Sequence, residues 1–294
     1  MRVLYIMWAF YLAALFLLWA GRRDEISRKT AALVSVLCLL AGSGALAAAV
    51  VPFGNSYGKT VTRLKDLADN AKTPAPVSGV AGQTDAAASG NCIALTLDDG
   101  PYPPYTSRLL DVLKEKKAHV TFFLVAEQAQ KYPELVKRMV TEGHTIGLHA
   151  FRHRDFLKLT EQEARENLAL GKKALHDMTG KAPVYWRPPH GFRDPSIMEL
   201  ACQENLTVVN WSVAPRDWTG IDRQEIHNRV LAKVENGSIV LLHDGDSPFY
   251  KASRQATVDA VPLLIDSLRK KGYHLVSLEE YVQGKTDVKA LQTK

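Results

Sequence analysis

The chain has little cysteine, no internal repeat and no strong excess of charge of either sign. Only three cysteines occur in 294 residues. Cys38 lies inside an apolar run, Cys202 in a helical pattern and Cys92 at the head of a strand pattern, so no disulfide framework shapes the fold. Lys and Arg number 37 against 31 Asp and Glu, a formal charge of +6. Residues 1–53 hold five of those cations and two of those anions, which leaves +3 for the rest. So small an excess excludes nucleic-acid binding as the meaning of the high isoelectric point. Without a repeat, the roughly 190 residues that carry motifs suit one domain with a sizeable core.

What the chain does have, at its start, is two long apolar runs. Val3 to Ala20 is 18 residues without a charge, and Ala31 to Phe53 is 23. Each can cross a hydrocarbon core of about 30 Å at about 1.5 Å per residue. The loop between them carries Arg22, Arg23, Arg28 and Lys29, which the positive-inside rule assigns to the cytoplasm. Residues 1–53 are therefore expected to form a membrane anchor of two transmembrane helices, about 3–20 and 31–53. The lipid bilayer would be their partner and the rest of the chain extracytoplasmic. The competing reading is secretion after cleavage near Ala47, because Ala45-Leu46-Ala47 resembles a signal-peptidase site. A run of 23 residues exceeds a signal-peptide core of about 7–15, which favours retention. Residues 54–90 hold Pro74, Pro76 and much Gly, Ala and Ser, and read as a flexible linker with one short helix at Lys59 to Asn70. The motif-bearing domain spans 91–282, and 283–294 form a tail.

Paired carboxylates head the motifs. Asp98 and Asp99 follow the apolar run Ile93 to Leu97 and are closed off by Gly100-Pro101, at the C-terminal end of a buried strand. A strand bending into a turn can aim two neighbouring carboxylates at one site, one for a metal and one for a proton; an Asx turn without chemistry is the alternative. His149 and His153 have the four-residue spacing of a metal-binding pair and also follow a strand pattern. Arg152 and Arg154 beside His153 leave open a solvated basic turn. In Arg187-Pro188-Pro189-His190-Gly191 the prolines remove donors, so the next free amide is that of His190, a candidate oxyanion donor in what is otherwise a rigid turn. His243 closes the apolar run Ser238 to Leu242, where a lone histidine is ordinarily structural.

Apolar strand patterns at 93–97, 120–124, 144–149, 184–186, 206–211, 238–242 and 274–278 alternate with helical ones at 107–117, 133–142, 160–178, 195–205, 222–235 and 254–271. That rhythm predicts an α/β parallel sheet or barrel, whose site lies at the strands' C-terminal ends.

In order, type and spacing, Thr96-Leu97-Asp98-Asp99-Gly100-Pro101, His149 with His153, Arg187 to Gly191, Asp217-Trp218 and Leu241-Leu242-His243 resemble the polysaccharide deacetylases, carbohydrate esterase family four, also called the NodB homology domain. The resemblance covers about 91–282 and implies a distorted (β/α) barrel of about seven parallel strands. It implies metal-dependent removal of N-acetyl groups from N-acetylglucosamine-type glycans, peptidoglycan or chitin-like, with peptidoglycan favoured by the outward topology. Asp99, His149 and His153 would hold the metal, usually Zn2+, though another divalent transition metal would fit. Asp98 would be the general base oriented by Arg187, and His243 the general acid tuned by Asp217. Pro189, His190, Trp218 and Leu241 would contact substrate.

Four positions depart from the family pattern: Leu97 for Phe, Ala150 for Ser or Thr, His190 for Tyr, and Ala214 where many members have Asp. None removes an assigned catalytic group. Ala150 implies a lost brace on the metal loop, and the others leave the glycan open. Two rival readings are a catalytically idle glycan-binding wall protein and a metal-dependent amidase for a small non-polymeric amide. The oligomeric state is not encoded in any motif.

Overall fold

A computed structural model describes residues 2–23, 26–51, 55–71 and 91–284. Two helices open the chain, α1 (Val3–Arg22) and α2 (Arg28–Val50). They pair along small residues such as Ala14, Ala20, Ala31 and Gly42, which let the backbones approach. Their outer faces leave Trp8, Leu12, Phe16, Leu33 and Leu40 more than half exposed, and both helices are long and apolar enough to cross a membrane. The helix α3 (Leu64–Ala71) follows.

From residue 91 onward strands and helices alternate: β1 (Cys92–Asp98), α4 (Tyr105–Glu115), β2 (Thr121–Val125), α5 (Ala126–Lys131), α6 (Pro133–Thr141), β3 (Thr145–Ala150), α7 (Glu161–Thr179), β4 (Tyr185–Trp186), α8 (Pro195–Gln203), β5 (Thr207–Val208), α9 (Arg223–Leu231), β6 (Ile239–His243), α10 (Gln255–Lys270), β7 (His274–Leu275) and α11 (Leu278–Val282). All strand pairings are parallel, in the order β5-β4-β3-β2-β1-β6, with β7 on the other half of β1. All seven residues of β1 are buried, which is why its sequence does not alternate: both faces are covered. One apolar layer lies between sheet and helices and includes Leu95, Leu97, Leu110, Val136 and Leu264. A smaller one fills the barrel's inside with Ala94, Phe123, Val209, Trp211, Ile239 and Leu241.

The structure is thus the expected α/β barrel of seven parallel strands, incompletely closed. A capping box starts α7, with Thr160 accepting from the Glu163 amide, and Gly180 ends it in the left-handed region at φ 72°. Three local expectations differ. The apolar run 274–278 is a strand only at His274–Leu275, because Ser277 caps α11 with Glu280. α5 is a six-residue helix too short to show periodicity. Residues 206–211 form only the two-residue β5, yet pairing continues at Val209, whose partner is Val61.

That last pairing concerns the stretch read from composition as a linker. Val61 bridges to Val209 beside β5, and Arg63 bridges to Ser238 beside β6, so residues 61–63 span the opening between the two edge strands. Leu64 and Leu67 are buried in the barrel interior. Residues 72–90, and the tail beyond Gly284, lie outside the described residues.

Candidate active site

The strand register brings the motifs together. Asp98 ends β1 opposite His243 at the end of β6, and Leu148 of β3 pairs with Trp186 of β4, just before Arg187. Asp99 turns out of β1 at φ 77°, which swings its carboxylate to the site that Asp98 reaches along the strand. A methyl added at Gly100 would lie 2.1 Å from the Asp244 carboxylate, so only glycine fits after Asp99.

Asp99, His149 and His153 each offer an atom within 4.8 Å of the others. The His149 Nδ1–H donates to the Arg187 carbonyl at 2.6 Å, which leaves a lone pair on Nε2. That lone pair stands 3.4 Å from Asp99 Oδ1, and His153 Nε2 is 3.5 Å from the same oxygen. Asp99 Oδ1 is buried with no hydrogen-bond partner. Three converging acceptors, one of them orphaned, need a cation between them, so the donor set fits a divalent metal. Burial opposes ionisation of Asp99, but the imidazoles of His149, His153 and His243 outweigh it and hold the carboxyl well below its usual range. Burial also lowers His153 to about 4, against the pull of Asp99, so it is neutral as a ligand must be.

Beside this cluster Arg187 is completely buried. Its Nη1 donates to Asp98 Oδ1 at 2.6 Å and to Thr96 Oγ1 at 2.8 Å, while Nε and Nη2 donate to the carbonyls of Val209 and Asn210. One oxygen of Asp98 is thereby pinned and Oδ2 is left to accept a proton. Opposite, Asp217 accepts from the His243 ring Nδ1 at 2.9 Å, from the His243 amide at 2.8 Å and from Thr257 Oγ1 at 2.9 Å. Burial would lower His243, but the Asp217 charge and hydrogen bond, with Asp99 and Asp98 behind them, raise it to about 9. Such an imidazole carries its proton at neutral pH.

The expected substrate-contacting residues surround these groups unequally. His190, at φ 61°, lays its ring 4.9 Å from that of His153. Pro189 is buried beneath it. Trp218 is exposed and sits edge-on to His243 at 5.0 Å. Leu241 is buried in the inner apolar layer. The brace that Ala150 cannot provide comes from α7: Asn167 accepts from the Phe151 amide at 2.8 Å and donates to the Arg152 carbonyl at 3.0 Å.

A family model for polysaccharide deacetylases matches residues 85–209. A peptidoglycan-N-acetylglucosamine deacetylase of Bacillus cereus is 36% identical over 195 residues, 66% of this chain and 89% of that protein. A chitooligosaccharide deacetylase of Bradyrhizobium is 35% identical over 197, covering 64% and 89%. The chain belongs to the polysaccharide deacetylase family. Its fold agrees with a crystal structure of a peptidoglycan N-acetylglucosamine deacetylase, at TM-score 0.62 and 35% identity over 66% of this chain and 89% of the other. A CE4 family pseudoenzyme from Bacillus anthracis is also similar, at TM-score 0.59 and 25% identity over 66% of each chain.

As a polysaccharide deacetylase the chain is a hydrolase of carbon–nitrogen bonds, and Asp99, His149 and His153 are its candidate metal site. Two supporting residues carry no motif in the sequence. Thr257 on α10 completes the hydrogen bonds of Asp217 from 40 positions away. Asp244, which follows His243 in the sequence, is completely buried behind Gly100 and accepts from Thr106 Oγ1 at 2.5 Å. Burial, with Asp99 and Asp98 adding to it, raises its carboxyl to about 7. Only the strand next to His243 hinted at its position.

Proposed function

We propose that this protein hydrolyses N-acetyl groups from N-acetylglucosamine-type glycans, peptidoglycan first among them, outside the cytoplasmic membrane. The single observation that carries this reading is the proton pair beside the Asp99–His149–His153 cluster: a buried Asp98 with one oxygen free, and a His243 whose ring donates to Asp217. An amide yields to water only if the nucleophile loses a proton, the oxyanion is stabilised and the departing nitrogen gains a proton. Asp99, His149 and His153 would hold a divalent cation, Zn2+ in our reading, which would supply a water of lowered pKa and polarisation of the carbonyl. Asp98 takes the proton of the attacking water through Oδ2, and Arg187 keeps it aimed. His243 gives its Nε2 proton to the leaving amine while Asp217 holds the ring from the other side. The His190 amide assists at the oxyanion, and Trp218 with Leu241 receives the acetyl methyl. Acetate and a free amino sugar result.

The helices α1 and α2 would anchor the enzyme, with Arg22, Arg23, Arg28 and Lys29 in the cytoplasm. Retention rather than cleavage near Ala47 is supported by the packing of Ala49 into the core of the domain. The intact acid, base and ligand set speaks against an idle binder.

The test is acetate release by the full chain from N-acetylglucosamine oligomers and from cell wall, with and without chelator. Mass spectrometry of the wall fragments identifies the sugar that changes. Turnover lost on chelation and restored by Zn2+ is expected; bound metal with no acetylated glycan ever turned over would falsify the assignment.

A further inference from the structure

The outer ends of α1 and α2 do not stop short of the domain. They are built into the wall of its site. Arg193, three residues after His190, is the joint. Its Nη1 donates to the Gly191 carbonyl at 3.2 Å and to the Val51 carbonyl, at the end of α2, at 2.9 Å. The Arg193 amide donates to the Ala49 carbonyl at 3.0 Å, and its Nε donates to Thr60 Oγ1 at 3.1 Å. The next residue, Asp194, caps α8 through the Ile197 amide and accepts from the Val3 amide at 3.2 Å, with Arg2 beside it at 3.5 Å. Arg2 also donates to the carbonyl of Phe156, three residues after His153. Tyr57 donates to the Ala45 carbonyl at 2.6 Å. Val3 and Ala49 are completely buried in the layer that holds Phe156 and Trp186.

Both loops that carry site histidines are thus fastened to the end of the helix pair. One guanidinium nitrogen touches the carbonyl next to His190 and the carbonyl that ends the second apolar helix. If the pair spans the bilayer, the site wall lies at the edge of the hydrocarbon core, inside a headgroup layer about 5–8 Å thick. A lipid-attached glycan is held in that layer by its own covalent linkage. A glycan free of the membrane has to be brought down to it.

Resting on the deacetylase and anchor readings above, we propose that the preferred substrate is an N-acetylated glycan carried on a membrane lipid. The rigid joint at Arg2, Arg193 and Asp194 with the ends of α1 and α2 sets the height of the site for it. Confinement to one surface raises the effective concentration of such a substrate without any new contact.

The experiment uses the full chain in vesicles of neutral phospholipid. Acetate release is measured from a synthetic glycolipid, an N-acetylglucosamine oligomer on a dialkyl chain in the same vesicles, and from the same oligomer free in solution. A preference of about 10²-fold or more in kcat/KM for the glycolipid is expected. A second protein carries Arg2→Ala and Arg193→Ala, which remove the contacts of the joint, together with a Gly/Ser spacer of about twenty residues between Val51 and Asn55, which adds a reach of about 25 Å. It should keep its activity on the free oligomer and lose about tenfold of the preference as the site leaves the surface. Equal turnover of both substrates by the unaltered chain overturns the proposal, as does a preference that the spacer leaves untouched. Acetate from neither substrate overturns the deacetylase reading itself, and this proposal with it.

Discussion

Two largely enclosed histidines stand at opposite ends of the same parallel sheet, one neutral and one protonated. His144 precedes β3 at the N-terminal end, beside a cavity of about 720 Å³ that His119, Tyr185 and Glu280 also line. His243 closes β6 at the C-terminal end. Burial pushes both toward the neutral form, and at His144 it prevails, lowering the group to about 4. There the ring Nδ1 accepts the Val120 amide, a partner that favours neutral imidazole. At His243 the same ring atom donates to a carboxylate, and the group rises to about 9. A strand end and a buried imidazole are common to both positions. The hydrogen-bond partner and the carboxylates around it make one a proton donor and the other a piece of packing.

The largest expected effect tests the catalytic end. Asp98→Asn should lower kcat by about 10²–10⁴-fold, as expected for loss of a general base, while metal content by elemental analysis stays unchanged. Loss of the metal as well would place Asp98 among the ligands instead. Next, Asp217→Asn removes the partner that distinguishes His243 from His144. The alkaline limb of kcat/KM, expected near pH 9 in the unaltered enzyme, should move down by about two units, which costs about 25-fold near pH 8.5. An unmoved limb would mean that His243 is not the acid. The sign follows from the raised value: His243 is protonated in the folded state up to about 9, so activity requiring that proton falls as pH rises through it.

A third test contrasts the seam with the rest of the stretch that looked like a tether. Leu64→Ala should destabilise the domain by about 2–5 kcal/mol in a thermal or denaturant melt, the cost of a cavity in a buried layer. A substitution in a true tether costs nothing measurable. The smallest effect belongs to the other histidine. His144→Gln should leave kcat within about twofold and cost about 1–2 kcal/mol through the Val120 amide. It should also remove a pH dependence: His144 is depressed in the folded state, so its contribution is present above about pH 6.5 and is lost as pH falls toward 4. A variant as acid-sensitive as the parent would sink this reading.

Much of the site was legible because it is written at strand ends. Asp98, Asp99, His149, Arg187 and His243 each follow an apolar run, and parallel strands end on one side of a sheet. Thr257 and Asn167 were not legible, since they sit inside helices and reach the site only across the packing of α10 and α7. Residues 61–67 were hidden for another reason: the pairings that make them part of the barrel are with positions more than 140 residues away.

By itself, then, the order of residues determined the type of fold, the chemical set and two membrane-length helices, because all three rest on local periodicity and residue type. Tertiary structure decided which histidine holds a proton, that Val61 and Leu64 close the barrel, and that Arg193 ties the helix pair to the site wall. Each of these depends on a partner far along the chain, and a partner's distance is not a property of any local pattern.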